Sequence, residues 1–218
     1  MQGSEGFLRI RLEKPACAVV GDRFVVRRYS PMITIGGGEV LDNQPLGKRE
    51  SKEEILERLQ DLKGATLEER VSSYATRKKG ATSAEDLVRE FAVSKTEAND
   101  LLEKMDPEVA ARVSDLPLKV CGKEFFLTVR KAIQTNLLKQ HSASPLVEGF
   151  NTESLKTDLP FGADDAVFRY TLAWMQENKW LVTEGSMTRC ALHEVEFDAG
   201  QEKAYNQIID SFKSPGTA

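Results

Sequence analysis

The hydrophobic period of this chain changes once, near residues 42–50, and that change limits the folds open to it. Before it the pattern has period two. Phe7-Leu8-Arg9-Ile10-Arg11-Leu12 alternates apolar and basic residues after Phe7, Phe24-Val25-Val26-Arg27 follows a Gly21-Asp22 turn, and Met32-Ile33-Thr34-Ile35 runs into Gly36-Gly37-Gly38. Alternation of this kind predicts strands with one buried face. Three consecutive glycines predict a break before Glu39-Val40-Leu41, with a bulge or a close backbone approach rather than a regular ladder. Three strands with no covering helix rarely make a stable unit, so residues 1–42 read as the end of a larger β-domain. Residues 43–50 are polar, contain Pro45 and Gly47, and read as a linker.

After the linker the period is 3.6. Ser51 with Glu54, Thr66 with Glu69 and Ser94 with Glu97 are capping boxes, in which two side chains satisfy two otherwise unpaired backbone N–H groups. Each precedes an apolar stripe: Ile55, Leu56, Leu59 and Leu62; Leu67, Val71 and Tyr74; Ala98, Leu101, Leu102 and Met105. A further helix is expected over about 84–91 after Ser83. The second helix ends in Arg77-Lys78-Lys79-Gly80, which suits the negative end of the dipole and a left-handed stop. Residues 117–121 and 124–128 then read as strands joined by Gly122-Lys123. Helix, helix, helix, hairpin is the order of a winged helix.

The order repeats. Residues 129–140 are helical, with Val129, Ile133 and Leu137/Leu138 on one stripe. A short helix is expected near 152–158. A longer one, capped at Asp164, carries Phe168, Leu172 and Met175. Residues 180–183 and 189–192 form a second wing, and 199–213 begin another helix. Units of about 65 residues imply tandem small domains. The expected class is α+β, with domains at 1–42, 51–128 and 129–198 and a third winged helix starting at 199–218.

Net charge is -4, which speaks against indiscriminate binding of polyanions. Residues 1–40 are net +2, 41–80 net +1, 81–128 net -4, 129–140 net +3 and 141–218 net -6. Phosphate contact is therefore expected to be local. Arg27-Arg28-Tyr29 suits a phosphate and a stacked base, or a charged guard on a strand edge. Arg77-Lys78-Lys79 either grips phosphate or complements a helix end. Arg130-Lys131 is expected to open a helix, where positive charge opposes the dipole and needs another reason, such as RNA or an acidic neighbour.

Catalytic signatures are few. Gly36-Gly37-Gly38 is followed by Glu39 rather than Lys or Ser, so it is no phosphate loop. Asp61-Leu62-Lys63-Gly64 matches a nucleotide-switch motif but falls at a helix end. His193-Glu194 lacks the second His of a zinc protease. Cys17, Cys121 and Cys190 are too far apart for a zinc or disulfide framework, and read as small, partly buried residues in a reducing cytosol. No apolar run approaches the ~20 residues of a membrane span, and Met1–Glu5 carries no secretory signal. No catalytic residue, metal ligand or cofactor is assigned to the chain.

The run Gly21-Asp-Arg-Phe-Val-Val-Arg-Arg-Tyr-Ser-Pro-Met-Ile-Thr-Ile-Gly-Gly-Gly-Glu-Val-Leu-Asp42 resembles the end of the third domain of the bacterial selenocysteine-specific elongation factors, the SelB family. Glu13-Lys14-Pro15 fits the family strand leading into it. The resemblance implies a partial translation-factor β-barrel of three strands, followed by tandem winged helices. It implies a fragment of a factor that delivers selenocysteyl-tRNA to the ribosome. This stretch would link the GTPase core to the tip that binds the selenoprotein mRNA hairpin. GTP and magnesium would belong to the GTPase domain, which the fragment lacks, so enzymatic activity is not expected of it. Arg27, Arg28, Tyr29, Arg77, Lys78, Lys79, Arg130 and Lys131 are the RNA-binding candidates.

The competing reading is an independent winged-helix DNA-binding transcription regulator. A DNA reader exposes Arg, Lys, Asn or Gln on its recognition helix. Here residues 94–105 would expose Ser94, Lys95, Glu97, Asp100, Glu103 and Lys104, and the later helix Asp164, Asp165, Arg169, Gln176 and Glu177. Both faces are net acidic and repel phosphate, which disfavours that reading. A hydrolase has no supporting constellation.

Overall fold

A computed structural model describes residues 3–43, 51–159, 164–195, 197 and 199–213. The linker expected at 43–50 lies outside them except for Asn43. The chain divides into two compact units, Met1–Phe125 and Phe126–Ala218. The architecture is α+β, with eight helices and three small antiparallel sheets among the described residues.

The first unit opens with a hairpin of β1 (Arg23–Arg28) and β2 (Ile33–Glu39). One sequence expectation fails here and a second holds in part. Residues 7–12 are irregular, with Leu8 and Ile10 largely exposed: alternation makes a strand only where a neighbour accepts its backbone bonds. The three glycines do not break β2. They pair with Val26, Val25 and Phe24, and the irregularity falls opposite, between Val26 and Arg27. A Cβ on Gly37 would stand 2.6 Å from the Phe24 carbonyl oxygen, so the close backbone approach that the glycines suggested is present.

Four helices follow: α1 (Lys52–Leu62), α2 (Leu67–Arg77), α3 (Ala84–Phe91) and α4 (Lys95–Glu103). Ser51 and Thr66 form reciprocal capping boxes with Glu54 and Glu69. Ser83 does the same with Asp86, a box built on the shorter acid. At α4 the forward bond forms, Ser94 Oγ accepting from the Glu97 N–H. The end of α2 is an extended Lys78 rather than a left-handed residue.

Between the helices lie β3 (Thr82–Ser83), β4 (Ala110–Asp115) and β5 (Leu118–Gly122), in the order β3-β5-β4. The core joins Val71 and Ala75 of α2, Leu87 of α3, Ala98 and Leu102 of α4, and Val120 of β5. Each fully buried Val or Leu contributes roughly 1.5–3 kcal/mol. At the end of β5 a Cβ on Gly122 would lie 2.8 Å from Thr76 Cα and 2.9 Å from the Ala75 oxygen. Glycine is what lets the strand touch the α2 backbone.

The expected strand at 124–128 is helical. β5 pairs backwards with β4, turning at Leu116-Pro117, and α5 (Lys123–Ala143) begins directly after Gly122. Phe125, Val129, Ile133 and Leu137 are all buried. Their spacing of four is one helical stripe, and it outweighs the Gly-x turn signal.

The second unit contains the rest of α5, then β6 (Phe150–Asn151), α6 (Thr152–Thr157), α7 (Asp165–Glu177), β7 (Leu181–Glu184), β8 (Met187–Cys190) and α8 (Ala199–Lys213). Its sheet runs β6-β8-β7, the same connectivity as β3-β5-β4. The core gathers Ile133 and Leu137, Leu155, Val167, Phe168 and Met175, and Leu181. Buried Thr171 donates to the Val167 carbonyl, and buried Thr188 shares hydrogen bonds with Thr152 and Thr183, so neither hydroxyl is stranded.

Candidate nucleic-acid interface

The eight basic and aromatic candidates separate into groups that serve different purposes. Arg27, Arg28 and Tyr29 stand exposed at the tip of the β1–β2 hairpin, with Tyr29 98% accessible. The hairpin is held at its other end. Arg70 of α2 bonds Glu39 at 2.8 Å, opposite Arg23 in the ladder. At ~3.3 Å per residue, Arg28 projects about 17 Å beyond that anchor. Arg27–Tyr29 are thus presented away from the point where α2 grips the hairpin.

Arg77 and Lys78 are engaged in structure. Arg77 Nη1 lies 3.4 Å from Asp42 Oδ2, and Arg58 reaches the same oxygen at 2.9 Å. Asp42, at the end of the β segment, is thereby clamped between α1 and α2. Lys78 Nζ meets Asp86 at 2.6 Å and lies 6.0 Å from the Tyr74 ring centre. Burial works to raise the Asp86 carboxyl, but bonds from Lys78 and Ser83 prevail and hold it below the ordinary carboxylate range. Lys79 alone of the three is exposed.

Arg130 does not open a helix, as expected from the sequence. It lies two turns inside α5, so the dipole gives no reason for its charge. The reason is aromatic. Its guanidinium sits 5.2 Å from the Trp174 ring centre and 5.9 Å from that of Trp180. Phe126 packs edge-on against Trp174 and Tyr170. Trp180 stays 46% exposed, and Lys131, next to Arg130 in sequence, is exposed too. The chain has two tryptophans, and both meet one arginine. Sequence reasoning missed them because residues 130, 174 and 180 share no periodic relationship.

The helix faces in question are acidic or self-neutralised. On α4, Glu97, Asp100, Glu103 and Lys104 are exposed, and Lys95 is paired with Glu85 at 2.8 Å. On α7, Arg169 is paired with Asp165 at 2.8 Å. Among the described residues, no group of three or more His, Cys, Asp or Glu gathers as a metal site would require. Nor is any helix there long and apolar enough to cross a membrane. Cys17 is exposed rather than partly buried, Cys121 is buried and Cys190 is half-buried.

The fold is similar to that of a bacterial selenocysteine-specific elongation factor, EF-Sec. The crystal structure of EF-Sec matches with a TM-score of 0.59 at 20% sequence identity, over 94% of this chain and 31% of that one. The chain thus spans about a third of the length of EF-Sec. At this identity the likeness concerns the fold. No protein-family model matches the sequence, and no curated protein matches it.

Proposed function

We propose that this chain is part of a selenocysteine-specific translation elongation factor and connects its GTPase core to its message-binding tip. The likeness to EF-Sec over 94% of the chain carries the reading. The block from Gly21 to Asp42, which forms the β1–β2 hairpin and the Asp42 clamp, supports it. In this reading the hairpin belongs to a translation-factor barrel that contacts selenocysteyl-tRNA. The set α2, α3, α4 with β3-β5-β4 is one winged helix, and the end of α5 with α6, α7 and β6-β8-β7 is a second. α8 starts a third. The wings are β4–β5 and β7–β8. The acidic faces of α4 and α7 suit modules that hold the tip at a distance rather than modules that read bases. The parent factor would act in the cytoplasm with the ribosome and the selenoprotein mRNA hairpin as partners, its GTP and magnesium held elsewhere.

RNA contact by this stretch is assigned to the exposed members of the candidate set: Arg27 and Arg28 with Tyr29, Lys79, and Lys131. A few phosphate contacts give salt-sensitive, sequence-independent affinity, with a Kd of roughly 10⁻⁴–10⁻⁶ M. Titrating a selenocysteine-insertion hairpin, a scrambled hairpin and mixed-sequence duplex DNA at two salt concentrations tests this. Weak binding with no preference between hairpins is expected. Nanomolar hairpin-selective binding would give these modules the message-reading role. Tight, sequence-selective duplex binding would establish a transcription regulator instead.

A further inference from the structure

The second unit contains a histidine pair that the translation-factor reading does not use. His141 lies in the last turn of α5 and is buried, 6% exposed. His193 lies in the turn after β8. Their rings stack with centres 3.6 Å apart and planes 31° apart. Phe150 of β6 closes another side of His141, edge-on at 4.9 Å.

The hydrogen bonds fix the protonation pattern. The Cys190 backbone N–H donates to His141 Nε2 at 3.3 Å, so the neutral ring carries its proton on Nδ1. His193 Nε2 is 3.1 Å from the Val147 carbonyl oxygen and donates to it, because a carbonyl only accepts. The turn is braced further by the His193 N–H to the Cys190 oxygen at 3.1 Å and the Ala191 N–H to the Trp180 oxygen at 3.1 Å. One ring pair therefore joins the end of α5, the loop 144–149 and the turn 191–193.

We propose that His141 and His193 form an acid-sensitive clasp that holds the turn 191–193 against the end of α5. Adding a proton to His141 removes the lone pair that accepts the Cys190 N–H. It also sets a cation against the face of His193. The surroundings oppose that cation. Burial is the largest influence keeping His141 deprotonated, His193 adds to it, the nearby Val147 carbonyl works the other way, and the Arg189 guanidinium adds repulsion. Arg189 is fixed there, its Nη1 donating to the His193 carbonyl at 3.5 Å. The Cys190 thiol supplies no negative charge, since burial raises its pKa. Glu148 and Glu194, next in sequence to Val147 and His193, are exposed to solvent, where their charge is screened. The negative end of α5 favours a cation, and burial outweighs it.

The test is amide hydrogen exchange and histidine-ring NMR on the whole chain between about pH 7.5 and about pH 5. His141 should titrate below its ordinary value of 6.5. Protection of the Cys190 amide, corrected for intrinsic rate, should fall by at least about tenfold while the α7 core amides hold theirs. His141→Gln keeps an oxygen acceptor without a titrating group, so its Cys190 protection should not change with pH. His193→Gln removes the imidazole that lowers the His141 pKa and should move the His141 midpoint upward. Unchanged Cys190 protection in the parent chain would overturn the clasp. So would a His141→Gln variant that loses protection with acid to the same degree. If His141→Gln does not fold, the parent's exchange profile and the His193→Gln midpoint still decide.

Discussion

The guanidinium of Arg130 lies 5.2 Å over the indole of Trp174 and within reach of Trp180. Its neighbour Lys131 points into solvent. Two adjacent cations thus have separable roles. Arg130→Ala should lower stability by about 1–2 kcal/mol, the range for partly desolvated cation–π contacts, and should shift tryptophan emission. Lys131→Ala should leave the melting temperature unchanged and reduce the salt slope of RNA binding by about 1. Thermal melts and RNA titrations of the two variants check both statements. Equal melting temperatures would sink the structural role of Arg130.

Glu90 of α3 is 4% exposed. Burial raises its pKa first, the Asp42 and Asp86 charges add to that, and Arg77 and Arg89 oppose it. The folded chain therefore binds this proton more tightly than the unfolded chain does. The stability it contributes is complete below the unfolded value of about 4.5 and is lost as pH rises through the higher folded value. Glu90→Gln, which never ionises, should melt higher than the parent at neutral pH, and the gap should close at acid pH. Denaturant midpoints at several pH values measure it; a variant less stable at every pH would refute it.

The β1–β2 hairpin has every residue but Phe24 exposed, including Val25 at 62% and Ile35 at 65%. Two strands with no packed face are marginal in water. Amide exchange across Arg23–Glu39 should be far faster than in α3 or β5, although the ladder bonds are formed in both places. Comparable protection in the isolated chain would mean that this apolar surface is covered.

Gly122→Ala should destabilise the first unit by about 1–3 kcal/mol, as overpacking does, because the added Cβ meets the backbone of Thr76 and Ala75 rather than a side chain that can turn away. Gly36→Ala should cost less, since nothing lies within 4 Å of a Cβ there. Chemical denaturation of both variants ranks them, and the reverse order would contradict the packing described.

Local signals decided most of the helices. Ser51, Thr66 and Ser94 cap where their spacing to a following acid says they should, because a cap is made by residues three apart and needs nothing distant. The 3.6 periodicity of Val129, Ile133 and Leu137 likewise marks a buried stripe whatever packs on it. Strand pairing was different. Residues 7–12 alternate well yet form no strand, and Leu118–Gly122 looks forward in sequence but pairs back to Ala110–Asp115. A ladder needs a partner, and the partner's identity is not written in the strand. The same holds for charge. In the sequence Arg77, Lys78 and Arg130 suit either a phosphate or a structural partner, with no partner identified. Only the fold brought Asp42, Asp86 and the two tryptophans to them, across separations that no periodic pattern records.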